Sequence, residues 1–83
     1  MQVKMSINEM ENEIMGAANA IRIAKYHDEK DLKTCIMEAI FEVTRLSEYQ
    51  FCGFMKSTLG YEIDFNAYVN FLYEKMIKYG AKV

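Results

Sequence analysis

Ser6-Ile7-Asn8-Glu9-Met10-Glu11-Asn12-Glu13-Ile14-Met15-Gly16-Ala17-Ala18-Asn19-Ala20-Ile21-Arg22-Ile23-Ala24-Lys25-Tyr26 is the stretch on which the fold turns. It opens with Ser6 and, three residues on, Glu9. This is a capping box, in which the Ser hydroxyl accepts from the N3 amide and the Glu carboxylate accepts from the Ser amide. Met5 and Met10 fall at N′ and N4, where a hydrophobic staple forms. Beyond the cap, Ile7, Met10, Ile14, Ala17, Ile21 and Ala24 recur at 3-4-3-4-3 spacing. That spacing is one seam of a helix, expected over 7–26. Gly16, Ala17, Ala18, Ala20 and Ala24 keep the helix thin, so that a neighbour can approach closely.

The same punctuation continues along the chain. Asp28 reads as the next N-cap, with Glu29 and Asp31 placed favourably against the helix dipole. Its helix, expected over 29–46, carries the seam Leu32, Cys35, Ile36, Ala39, Val43 and Leu46. Ser47 with Gln50 makes a second capping box, stapled by Leu46 and Phe51, so the helix breaks there and a shorter one follows over 48–59. The alternative is a helix running straight through Ser47. Phe51, Phe54, Met55 and Leu59 form the buried side of the third helix, and Gly60 suits a left-handed C′ position. Asp64 caps a last helix, expected over 65–79 and closed by Gly80, with the stripe Phe65, Tyr68, Val69, Leu72, Met76 and Tyr79. The fold class is therefore all-α. We expect a small bundle of about four helices, two long antiparallel helices followed by two shorter C-terminal ones, in one domain over 1–83.

Composition agrees with that reading. Hydrophobic residues make up 52% of the 83, there is no proline, and glycine occurs four times. Collagen-like, linker-like and disordered classes are excluded. A chain this short has little burial to spare. With 10 basic and 12 acidic residues, net charge −2, no whole-chain field draws nucleic acid or anionic lipid. The first residues carry no basic stretch followed by an apolar core, and no apolar run approaches the roughly 18 residues of a membrane span. Met5-Ser6 is an alternative starting point for the chain. Cys35 and Cys52, 17 positions apart and outside any CxxC pair, read as free buried thiols. Those features together give the expectation of a cytoplasmic protein.

Catalytic and metal chemistry find few carriers. His27 is the only histidine, and at a helix junction it reads as a C-terminal cation. Glu38 and Glu42 stand i, i+4 on a helix flank beside Arg45, the pattern of a solvated edge. Gly60-Tyr61-Glu62-Ile63-Asp64-Phe65 faintly resembles the exit of a calcium-binding EF-hand loop. Met55, Lys56, Ser57, Thr58 and Leu59 stand where that loop needs acidic oxygens at alternate positions, and Asn66 stands where it needs its closing glutamate. GxxxxGK[ST] and GxGxxG motifs are absent. No catalytic residue, cofactor or metal ligand is assigned. Helical DNA binding would rest on Lys75, Lys78, Asn66 and Asn70, a thin basis without a basic stripe. A nucleotide-like ligand at a subunit interface, held by aromatics with Arg22, Lys25 or Arg45, is the alternative binding function.

What the sequence has in surplus is apolar surface. On a helical wheel, Met15, Ile23 and Tyr26 miss the first seam, Met37 and Phe41 lie well away from the second, and Phe71, Tyr73 and Ile77 fall outside the last stripe. Nine of the eleven aromatics lie between Tyr49 and Tyr79, which concentrates contact-making side chains in the C-terminal half. One explanation is a central helix buried on two sides. The other is an interface, with Met37, Phe41, Phe71, Tyr73 and Ile77 as its contacts. A homodimer is the simplest closed arrangement, since a two-fold axis needs only one self-complementary patch. The expected function is thus a non-enzymatic protein–protein interaction module, binding or occluding a partner protein. In size, helicity and lack of catalytic groups the chain resembles the small accessory and inhibitor proteins that phages and mobile elements encode, a likeness of style carried by no particular residue.

Overall fold

The computed structural model describes residues 6–26 and 32–78. Over these the chain forms α1 (Ile7–Ile21), which continues into a π-helical turn (Arg22–Tyr26), then α2 (Leu32–Thr44), α3 (Glu48–Leu59) and α4 (Phe65–Lys78). The architecture is an all-α bundle, with no strand among the described residues. The expectations that fall on Met5, His27, Asp28, Glu29, Asp31, Tyr79 and Gly80 lie outside these residues.

Three helices, α1, α3 and α4, begin where their caps predict. The Glu9 amide donates to Ser6 Oγ at 3.1 Å and the Ser6 amide to Glu9 Oε1 at 2.9 Å. Ser47 and Gln50 repeat the exchange at 3.2 and 3.0 Å, and Asp64 Oδ2 accepts from the Ala67 amide at 2.9 Å. Gly60 ends α3 at φ 86°, the left-handed conformation that a residue without Cβ adopts most easily. The break before Ser47 is present, but α2 stops at Thr44, two residues earlier than expected. Thr44 accounts for this early stop. Its hydroxyl donates to the Ile40 carbonyl at 2.6 Å and accepts from the Leu46 amide at 3.2 Å, replacing helical bonding with side-chain bonding.

The core gathers Met10, Ile14 and Ala18 from α1, five α2 residues, Phe51 and Met55 from α3, and the expected α4 stripe through Met76. Phe51 is its hinge, edge-on to Phe65 at 6.2 Å and tilted against Tyr68 at 5.5 Å. Two seams differ from the simple repeat. In α1 the buried line runs through Glu11, Ala18 and Arg22, while Ala24 is exposed and Ile7, Ala17 and Ile21 are half-buried. The thin residues divide accordingly, with Gly16, Ala20 and Ala24 facing solvent. A π turn takes about one residue more per turn than an α-helix, so a seam extrapolated at 3.6 residues slips out of phase beyond Ile21. In α2 the buried arc widens to include Ile40 and Thr44, because the helix packs against both α1 and α4.

Candidate functional site

The surplus apolar residues sort themselves by the two flanks of α4. On one flank, Lys33 Nζ of α2 lies 5.0 Å from the Tyr73 ring centroid. Met37 is one turn on from Lys33 along α2 and Ile77 one turn on from Tyr73 along α4, but α4 runs from Phe51, beyond the end of α2, toward Lys33 at its start, so Met37 and Ile77 lie on opposite sides of this contact. Phe41 follows one turn beyond Met37. Met37 and Ile77 are each 38% exposed and Phe41 49%, whereas Tyr73 is half-buried against the core. The wider burial of α2 thus stops short of Met37 and Phe41, and within the chain they keep open surface.

The end of α2 adds a charge to this flank. Arg45 has φ 61°, which makes it the one non-glycine residue of positive φ among those described. Left-handed backbone costs an ordinary side chain about 1–2 kcal/mol. The consequence is positional: the chain turns back at Arg45 and the guanidinium comes to 5.9 Å from the Phe41 centroid, within cation–π range.

Phe71 belongs to the other flank and is separated from the remaining four expected contacts. Its ring stacks on Tyr68 at 5.9 Å and has Lys75 Nζ 5.7 Å from its centroid. There α4 meets α1 through polar groups: the Tyr68 hydroxyl donates to Glu11 Oε2 at 2.6 Å and Lys75 Nζ to Glu11 Oε1 at 3.3 Å. Glu11 is buried, so two donors satisfy a carboxylate that would be costly alone. Burial first, then the hydrogen bond to Glu11 and its charge, push the Tyr68 phenol well above its ordinary pKa. Tyr68 is therefore a fixed donor across the working pH range. Half of Phe71 remains open, over a shallow depression of about 300 Å³ shared with Glu74, Lys75 and Lys78.

A further cleft, of about 400 Å³, lies over α3 and is lined by Tyr49, Cys52, Gly53, Lys56 and Ile63 among others. Burial, and behind it the charges of Glu48 and Asp64, raise the Cys52 thiol pKa, which keeps it protonated and poorly nucleophilic. Lys56 is paired with Glu62 at 3.1 Å in the open. Of the three cations expected to meet a phosphate, Arg22 is buried and donates to Asn19 Oδ1 at 2.9 Å, Arg45 lies against Phe41, and the side chain of Lys25 is outside those described. Asn66 and Asn70 are exposed on α4, with Lys75 tied to Glu11. Cys35 and Cys52 are free thiols, the first buried and the second half-buried. Among the described residues no three of His, Cys, Asp and Glu gather as metal ligands, and no helix is long and apolar enough to cross a membrane.

Sequence reasoning passed over Glu11 because it sits in a run of acidic residues that reads as solvated. The signal was the seven-residue step from Glu11 to Ala18, two turns on the same side of α1. Compared with protein-family models, curated proteins and solved structures, the chain matches none.

Proposed function

We propose that this protein acts by binding another protein chain through the flank shared by α2 and α4, without catalysing a reaction itself. Phe41 carries the reading: it is half-exposed in the folded chain, with Met37, also exposed, one turn before it on α2. Single exposed apolar side chains are ordinary, but neighbouring Met and aromatic side chains flanked by Lys33 and Arg45 have the composition of an interface centre. The left-handed Arg45 supports the same function, since backbone strain of this kind persists where surroundings hold it and concentrates at working sites. Arg is also among the residues that dominate binding energy at interfaces. Two free thiols fit a reducing cytoplasm as the place of action.

Photocrosslinking in cells tests the reading. A photoreactive residue at Met37 is expected to give protein adducts that disappear when Phe41→Asp is added, while one at the exposed Asn12 gives none. Equal adducts from both positions, or none from Met37, would overturn it.

A further inference from the structure

We infer that the link between α2 and α3 is a hinge that exchanges α3 and α4 between two copies of the chain. When it straightens into helix, α2 and α3 become one rod, and the α3–α4 half docks on the α1–α2 pair of a second copy. The closed link is held by side chains. Arg45 sits at φ 61°, where an ordinary residue is disfavoured and glycine or asparagine is the usual occupant. Thr44 Oγ1 accepts from the Leu46 amide at 3.2 Å, Gln50 Oε1 from the Ser47 amide at 3.0 Å, and Ser47 Oγ from the Gln50 amide at 3.2 Å. Neither glycine nor proline occurs from Thr44 to Glu48, and Arg45, Leu46 and Glu48 are good helix formers. Straightening relieves Arg45 and offers the amides of residues 46–50 the carbonyls of residues 42–46, in exchange for the side-chain bonds. A short link under strain is the setting in which elements are exchanged between copies.

The straightened chain has no way to close on itself. A helix from Leu32 to Leu59 would be about 42 Å long, whereas the longest extent of the folded chain is 34 Å. Phe51 and Met55, both fully buried in the closed form, would project beyond the end of α2 into water. Phe65 and Tyr68 pack on Phe51, so α4 travels with α3, while α1 stays packed on α2. A second copy in the same state supplies what each half has lost. Glu11 of one copy then accepts from the partner subunit's Tyr68 and the partner subunit's Lys75, the pairing that a single chain makes at 2.6 and 3.3 Å. The exchange is mutual, so the assembly closes at two copies. The core contacts are the same in both forms and the link differs, which leaves the balance to the link and to concentration.

The test is refolding from urea at low and high protein concentration, with mass read by native mass spectrometry and helicity by circular dichroism. Dilute wild-type chain is expected as monomer, and concentrated chain as monomer and dimer. Arg45→Gly accepts the left-handed turn and weakens the rod, so it is expected to weaken the dimer roughly tenfold or more. Ser47→Ala removes the cap of the closed link and favours helix, so it is expected to strengthen the dimer by about the same factor. Glu11→Lys and Lys75→Glu each set like charges at the joint of α1 and α4. Refolded together, these two variants are expected to form a heterodimer in roughly tenfold excess over either homodimer, because exchange again joins opposite charges at both joints. Concentrated chain that stays monomeric, wild-type and Ser47→Ala alike, overturns the exchange, as does a dimer unmoved by Arg45→Gly. Random mixing of the two charge variants, or no heterodimer at all, overturns the swap.

Discussion

The two flanks of α4 solve opposite problems. Toward α1 the chain buries a carboxylate and supplies its partners from within: Tyr68 and Lys75 both donate to Glu11, and Phe71 stacks on Tyr68 to cover the joint. Toward α2 it leaves apolar side chains in water and brings up a cation, Lys33 on Tyr73 and Arg45 on Phe41, without closing over them. A buried charge without a partner would be ruinous in so small a fold, so it must be satisfied internally. An exposed ring costs far less and can wait for something outside. The lesson is that satisfaction, more than hydrophobicity, separates a structural joint from a binding face.

That contrast is broken or sharpened by substitution, and the largest effect belongs to neither flank. Phe51 is fully buried and joins Phe65 to Tyr68. Phe51→Ala is expected to cost about 3–5 kcal/mol, much of the stability of a domain this size, and to leave the chain largely unfolded by circular dichroism at 25 °C. Glu11→Ala comes next. It strands the Tyr68 hydroxyl and Lys75 and should lower denaturant-measured stability by about 1–3 kcal/mol, a loss that Glu11→Gln reduces by keeping an acceptor. An equal loss from Phe41→Ala would erase the distinction between the flanks.

Alkaline pH probes the sealed flank from another side. The Tyr68 phenol is raised in the folded chain above its ordinary value of 10.0. Unfolding at high pH therefore releases its proton, and the contribution is intact below pH 10 and lost as pH climbs beyond it. Stability of the wild-type chain should fall more steeply above pH 10 than that of Tyr68→Phe, as measured by urea unfolding across the range.

Glycines give a smaller effect of predictable sign. A Cβ at Gly53 would meet nothing within 4 Å, and its backbone is helical, so Gly53→Ala should stabilise by about 0.5–1 kcal/mol. At Gly60 the space is equally open but φ is 86°, and the same change should destabilise by about 1–2 kcal/mol. Smallest of all is the expected effect of Phe41→Asp on the stability of the isolated chain, within about 0.5 kcal/mol, because the side chain is half in water already.

Much of the bundle was legible in the sequence because its signals are local. Ser6 with Glu9 and Ser47 with Gln50 announce helix starts within four residues, and the α4 stripe from Phe65 to Met76 is buried as its period implies. The unread parts are those that depend on contacts distant in sequence. Glu11 looks solvated until Tyr68, 57 residues away, donates to it. Ile40 and Thr44 join the core because α2 packs against two neighbours, and Ala24 leaves it because the helix changes pitch after Ile21. Among the expected contacts, periodicity found the surplus side chains, but only the Lys33–Tyr73 and Phe71–Tyr68 contacts show that they belong to two different flanks.

The most direct measurement is a dilution series followed by amide NMR shifts. Self-association through the exposed side of α2 predicts concentration-dependent shifts at Met37, Phe41 and Arg45, with Phe71 and Lys75 unmoved. Shifts centred on Phe71 and Lys75, or none across the series, would contradict it.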